Sequence, residues 1–282
     1  MCIGIPRDGD GGRVYHAQMR IARFLTRDGR VLSGRVIDEG AAEPIDGDVF
    51  GAPTIVPRRV NVARWLAPVV PPNIFAIGRN YAAHAKETGS QVPEAPLIFM
   101  KATTSVLDPG GEIVLPAPAP SEVDFEAELA IVIGRRAKDV SEAEALNCVF
   151  GYTCANDVSA RDCQRNDKQW ARAKGFDTFC PLGPWIVTRD ELDAAVCPIR
   201  SRLNGAVMQD SNTRDMIHGC AKLVSYVSHQ FTLLPGTLIL SGTPEGVGFA
   251  RKPPVFLKPG DTIEVEIDGI GVLRNTVRAA SA

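Results

Sequence analysis

From Met19 onward, apolar and polar residues alternate in short runs that are cut by Gly, Pro and Asp. The runs RIARFLT and VLSGRVI flank Arg27-Asp28-Gly29-Arg30. Period-two alternation on both sides of an Asp-Gly turn predicts a β-hairpin. The same texture continues to about Leu66, and Pro68-Val69-Val70-Pro71-Pro72 then predicts a connector. Beyond it, Phe75-Ala76-Ile77-Gly78 reads as a short strand. Tyr81 to Glu87 has helical composition and dissolves into the Gly- and Pro-containing stretch Gly89 to Pro96. Phe125 to Ile133 is strand-like, and Ser141-Glu142-Ala143-Glu144 predicts a capping box that opens a short helix. Near the end, Lys258-Pro259-Gly260-Asp261 is a turn leading into Thr262 to Ile267, a regular period-two strand closed by Asp268-Gly269. No regular crossover helices separate the strands. A doubly wound parallel sheet is therefore disfavoured, and an α+β, β-rich architecture is expected. The expected division is a disordered leader over residues 1–18, a small N-terminal α+β domain over 19–70, and a larger domain over 71–282.

Composition narrows the partners. The 282 residues are 45% hydrophobic and 23% charged, as in an ordinary globular protein with ample material for a core. A net charge of −2 gives no electrostatic case for nucleic acid or an anionic membrane, so a small-molecule ligand is expected. No apolar run has the length of a membrane span, and the first residues lack the basic start and apolar stretch of a secretory signal. The 7 cysteines are odd in number, and no pair has CxxC spacing. They point to a reducing compartment, and a cytoplasmic location is expected.

The chemistry concentrates in SEVDFEAELAIVI, residues 121–133. On a strand, Glu126 and Glu128 point the same way, while Phe125, Ala127, Leu129 and Ile131 face a core. Two adjacent carboxylates on a strand that becomes wholly apolar repel each other unless a hard cation neutralises them. Spacing alone does not establish this: Glu264 and Glu266 have the same E-x-E spacing, and an isolated pair of this kind is usually a solvated face. A third acid, Asp157, lies where a largely uncharged strand meets a helix that Ser159 can cap.

Four segments, DFEAELAIVIG, NDVSARD, AKGFDTFCPLGPW and LILSGTPEGVG, come in the order and approximate spacing of the fumarylacetoacetate hydrolase superfamily. The resemblance runs from about Asn73 to Val277. It implies a mixed β-roll or β-sandwich-like catalytic domain that binds Mg²⁺ or Mn²⁺ through Glu126, Glu128 and Asp157. Gly78-Arg79-Asn80-Tyr81-Ala82-Ala83-His84-Ala85-Lys86-Glu87 is similar to the segment carrying the His–Glu dyad of acylpyruvate hydrolases and their decarboxylating relatives. On a helix, His84 and Glu87 share a face, so Glu87 can hold the imidazole in one tautomer for base catalysis. The pattern is not a zinc-type HExxH, and His84 is not assigned to the metal. The resemblance further implies a pocket lysine at Lys174 and substrate contacts from Arg161 and Gln164. Arg79 and Tyr81 on the dyad segment, and Thr243 in the glycine-rich turn, are further candidate contacts. A homodimer is implied by the resemblance alone.

These parts suit hydrolysis of a carbon–carbon bond in a 2,4-dioxo acid of the acylpyruvate or fumarylpyruvate type through a metal-stabilised enolate. Lys174 would offset negative charge and His84 would activate water. The same apparatus serves decarboxylation of oxaloacetate-like 2-oxo acids or isomerisation of unsaturated 2-oxo-dioates. The dyad weighs toward hydrolysis, because activating water needs a base. A non-catalytic metabolite-binding protein is the reading from a different class, and the presence of both the dyad and Lys174 weighs against it.

Overall fold

The computed structural model describes residues 19–280. The leader expected over residues 1–18 lies outside the described residues. Among those described, the strands form sheets of twelve, five and two strands. The first hairpin forms as its alternation predicts: Arg20–Thr26 pairs antiparallel with Val31–Asp38, and Gly29 turns the chain at φ 83°. Glycine takes that conformation without the clash of a Cβ.

Residues 19–70 carry no helix, so the helical share expected of the N-terminal domain is absent from it. The chain there forms Arg20–Thr26, Val31–Asp38, Ala41–Asp46, Thr54–Ile55 and Val60–Leu66. Period-two runs separated by short turns leave no stretch near the usual helix length of about 11 residues. Arg20–Thr26 also pairs with Cys180–Thr188, Ile21 lying opposite Ile186, so the N-terminal strands continue the large sheet.

From Cys180–Thr188 that sheet runs through Val149–Asn156, Ala127–Ile133, Leu238–Leu240 and Ile74–Gly78 to Leu97–Lys101. The central strand, Ala127–Ile133, is buried at every position. On one face Leu129, Ile131 and Ile133 pack with Ile199, Val265 and Ile267 of the five-stranded sheet and with Leu223 and Val227 of the helix Cys220–Gln230. On the other face Ala130 and Val132 pack with Leu182, Ile186 and Leu240. Coverage on both faces explains why this run is apolar at every position after Glu128 instead of alternating. Each large side chain buried there contributes about 1.5–3 kcal/mol. Thr262–Ile267, by contrast, buries Ile263, Val265 and Ile267 and turns Glu264 and Glu266 outward. Those two acids pair with Arg274 and Arg202, as a solvated face does.

Three local expectations are corrected. The single strand from Phe125 to Ile133 is two pieces. Val123–Asp124 pairs with Ser159–Ala160 in the two-stranded sheet, and the long strand begins only at Ala127. Phe125 packs with Val158, Ala173 and Phe179 in a separate apolar cluster, so the chain passes between two cores at 125–126. Ser159 is not a helix cap. It lies in the short strand, its hydroxyl donates to the Asp157 carbonyl at 2.8 Å, and Arg161–Asn166 starts at Ala160 without a side-chain cap. In the first turn the Arg161 N–H donates to the Glu122 carbonyl at 2.9 Å and the Cys163 N–H to Asp162 Oδ1 at 2.7 Å. At Ser141 the hydroxyl donates to the Glu144 carboxylate at 3.0 Å, not to the helix backbone.

The central strands approach so closely at Gly151 that a Cβ there would stand 2.2 Å from the Val187 carbonyl oxygen. Gly151→Ala is expected to cost about 2 kcal/mol or more, read as a lower urea midpoint. An unchanged midpoint would contradict this packing.

Candidate active site

Glu126, Glu128 and Asp157 reach one point from different elements. Glu126 lies between the two pieces of its strand, Glu128 opens the central strand, and Asp157 follows Val149–Asn156. Each offers a carboxylate oxygen, all within 4.8 Å of one another, and all three residues are buried. The local backbone is cross-tied: Asp157 N–H donates to the Glu126 carbonyl at 2.9 Å, and Glu126 N–H donates to Asn156 Oδ1 at 3.0 Å.

Three buried cations face the acids. Lys174 Nζ lies 2.7 Å from both Glu126 and Asp157, and Lys101 Nζ lies 2.5 Å from the other Asp157 oxygen. Arg161 reaches Glu126 at 2.6 Å and Asp124 at 2.9 Å, with its guanidinium 4.2 Å over the Phe249 ring. Burial alone would raise the Glu126 carboxyl, but Lys174 and Arg161 outweigh it and hold the group well below the usual carboxylate range. Burial would likewise strip the proton from Lys174, but Asp157 and Glu126 keep it charged. Glu128 fares differently. Burial, then Asp157 and Glu126, push it well above the usual range, and Lys174 and then the Gly242 N–H at 2.7 Å offset this only in part. Four carboxylates, counting Asp124, thus meet three cations. The donor set contains only oxygen, and with all four ionised its charge is left short by one positive unit. That chemistry fits a hard divalent cation.

His84 and Glu87 form the expected pair on the helix Ala82–Glu87, with His84 Nδ1 2.9 Å from Glu87 Oε1. Glu87 also accepts from the Gly246 N–H at 3.0 and 3.1 Å, which fixes the helix to the 242–246 turn. The turn needs its glycines: Gly242 and Gly246 have φ of 92° and 97°. A Cβ on Gly242 would stand 2.8 Å from Asn80 Cβ, and one on Gly246 would stand 2.3 Å from the Met208 carbonyl oxygen.

His84, Glu126, Lys174, Arg161, Gln164, Arg79 and Thr243 line one cleft of about 250 Å³, walled by Ile77, Phe99, Trp170 and Phe249. Arg79, at φ 58°, holds its guanidinium 5.9 Å from the Trp170 ring. Tyr81 does not line the cleft. It caps the helix start, is buried, and its hydroxyl has no hydrogen-bond partner among the described residues. Its phenol is pushed up, first by burial and then by Glu128. Arg161 lines the cleft, but its donors are already held by Asp124, Glu126 and Gln164. Lys101, Asp124 and Gln209 were missed from sequence: a Lys in LIFMK reads as a solvated strand end, and nothing in the linear pattern pairs it with Asp157.

The buried triad can hold a metal ion next to a cleft of small-molecule size. The chain belongs to the fumarylacetoacetate hydrolase family: the model described as fumarylacetoacetate (FAA) hydrolase C-terminal matches residues 73–278, and that described as Rv2993c-like, N-terminal matches residues 19–68. It is similar to protein Rv2993c of Mycobacterium tuberculosis, 46% identical over 269 residues, covering 92% of this chain and 98% of that one. It is 48% identical over 227 residues to the mitochondrial oxaloacetate tautomerase FAHD2A of Bos taurus, covering 79% of this chain and 71% of that one. The crystal structure of 2-hydroxyhepta-2,4-diene-1,7-dioate isomerase from Mycobacterium marinum superposes with a TM-score of 0.82 at 44% identity, covering 94% of this chain and 100% of that one. No helix among the described residues is long and apolar enough to cross a membrane.

Removing Lys101 leaves one oxygen of the buried Asp157 carboxylate without its cation, with Lys174 on the other, so Lys101→Met is expected to cost about 3 kcal/mol of metal-free stability in urea titration. Lys101→Met combined with Asp157→Asn should cost less than the two separate losses added together. Strict additivity would show that the pair does not interact.

Proposed function

We propose that this chain is a divalent-cation-dependent enzyme that moves a proton on a 2-oxo dicarboxylic acid, interconverting keto and enol forms or double-bond isomers. The observation that carries this reading is that Glu126 of the buried carboxylate triad, Lys174 and His84, the last held by Glu87, line one cleft. The substrate class, oxaloacetate-like acids and unsaturated 2-oxo-dioates, follows the relatives named as tautomerase and isomerase.

Glu126, Glu128 and Asp157 would hold the cation, and an oxygen-only set of this kind suits Mg²⁺ or Mn²⁺. Bound there, it would act as a Lewis acid on the substrate's 2-oxo group. Glu87 occupies His84 Nδ1, which leaves Nε2 to take the proton from C3 as the C2–C3 double bond forms. Returning that proton to the 2-oxygen gives the enol, and returning it farther along a conjugated chain gives the isomer. Lys174 and Arg161 hold Glu126 in place, and the Lys174 ammonium offsets the negative charge that develops on the 2-oxygen. Gln164, Arg79 and Thr243 supply polar contacts to the carboxylates along the aromatic wall.

Carbon–carbon hydrolysis of a 2,4-dioxo acid, the first expectation from sequence, becomes the second reading. The formed dyad favours it, since it would activate water equally well. A homodimer, implied by the resemblance, completes the proposal and is checked by light scattering.

Turnover of enol-oxaloacetate, a 2-hydroxy-diene-dioate and an acylpyruvate, each with and without Mg²⁺ or Mn²⁺, separates the readings. Cation-dependent tautomerisation or isomerisation is expected; faster cleavage of the acylpyruvate would overturn it in favour of hydrolysis. His84→Ala should lower kcat about 100-fold or more with cation affinity unchanged, and a wild-type rate would remove His84 as the base. Glu126→Ala should weaken cation binding about 100-fold in calorimetry, and an unchanged Kd would contradict its place as a ligand.

A further inference from the structure

Gln209 lies outside the cleft, on the strand Ala206–Asn212, and is buried. Three of its four hydrogen bonds run to the segments that build the site. Its Oε1 accepts from the Ala127 N–H at 3.0 Å and the Ser201 hydroxyl at 2.9 Å. Its Nε2 donates to the Pro244 carbonyl at 2.9 Å and to Thr243 Oγ1 at 2.7 Å. An amide's two ends are hard to tell apart by shape, but two of these partners leave no choice. A backbone N–H can only donate and a backbone carbonyl can only accept, so Oε1 must face Ala127 and Nε2 must face Pro244. The second Nε2 hydrogen is thereby committed to the Thr243 oxygen.

The consequence falls on Thr243. Its hydroxyl carries one hydrogen and accepts through its lone pairs. With the Gln209 amide donating to that oxygen, the hydroxyl's own hydrogen is left over, and no acceptor among the described residues takes it. Thr243 is nearly fully buried and lines the cleft beside Glu126 and Lys174. We propose that Gln209 is a positioning residue that locks the Thr243 hydroxyl as a hydrogen-bond donor into the cleft, selecting an anionic or carbonyl oxygen of the substrate. Gln209 also holds the N–H of Ala127, the residue between Glu126 and Glu128, so one side chain sets the donor and the carboxylate pair in register. A free hydroxyl would rotate and satisfy itself locally; a locked one is already oriented for substrate.

This inference rests on the proposed 2-oxo acid chemistry, and the experiment separates the two. At saturating Mg²⁺, oxaloacetate turnover and calorimetric binding are measured for the wild type, Thr243→Val, Thr243→Ser, Gln209→Met and Gln209→Met/Thr243→Val. Thr243→Val should lose about 10- to 100-fold in kcat/KM, the worth of one hydrogen bond to a charged group. Thr243→Ser, which keeps the hydroxyl, should recover most of that loss. Gln209→Met should lose as much as Thr243→Val, and the double variant no more than the worse single one. Losses that multiply in the double variant would overturn the inference, because a merely structural Gln209 acts independently of Thr243. Should Gln209→Met not fold, a crystal structure of the wild type with pyruvate bound decides. A ligand oxygen within hydrogen-bond distance of Thr243 Oγ1 supports the lock, and its absence overturns it. A wild type that neither binds nor turns over any 2-oxo acid would remove the proposed function itself, and the inference with it.

Discussion

Asp124, Glu126, Glu128 and Asp157 share a largely dry volume with Lys101, Arg161 and Lys174, and the surrounding structure depends on keeping these charges in register. Two like charges 4 Å apart repel by about 4 kcal/mol at an effective dielectric near 20. Against a total stability of about 5–15 kcal/mol, even one misplaced carboxylate is a large fraction. Asp124 and Arg161 fix one side of the cluster, the Asp157 pairs with Lys101 and Lys174 fix the other, and Glu128 is left with the least compensation. A divalent cation at the triad would relieve the part of the cluster that the protein's own cations do not.

The 242–246 turn is the mechanical counterpart of that cluster. The Gly242 N–H holds Glu128, Thr243 and Pro244 hold Gln209, and the Gly246 N–H holds the Glu87 carboxylate that in turn holds His84. One five-residue segment therefore touches the acidic triad, the cleft lining and the His84–Glu87 pair. This accounts for its two left-handed glycines: the backbone itself makes the contacts, and a side chain at either position would push it off.

Much of this was legible in the sequence. The period-two runs and Asp-Gly turns placed the hairpins, and three acids with four linked segments placed the triad and the family. Helical spacing placed His84 beside Glu87. What escaped was information carried across the fold. The break at Phe125 arises because Phe125 belongs to a different core from Leu129, and alternation within one run cannot show two cores. Lys101 reaches Asp157 56 residues away and Gln209 reaches Thr243 34 residues away, and each looks like an ordinary strand residue in its own segment. The resemblance implied a substrate contact from Arg161, but nothing in its segment showed that its guanidinium also pairs with Asp124 and Glu126. The expectation of hydrolysis leaned on the presence of a base, but a base serves proton transfer on carbon as well as on water.

The most direct test of the account is a Mn²⁺ titration followed by electron paramagnetic resonance on the wild type and on Glu128→Gln. The account predicts one tight Mn²⁺ site per chain, lost or weakened about 100-fold when Glu128 no longer carries a charge. A wild type that binds no Mn²⁺, or a Glu128→Gln variant that binds it as tightly, would contradict the claim that the buried triad is a cation site.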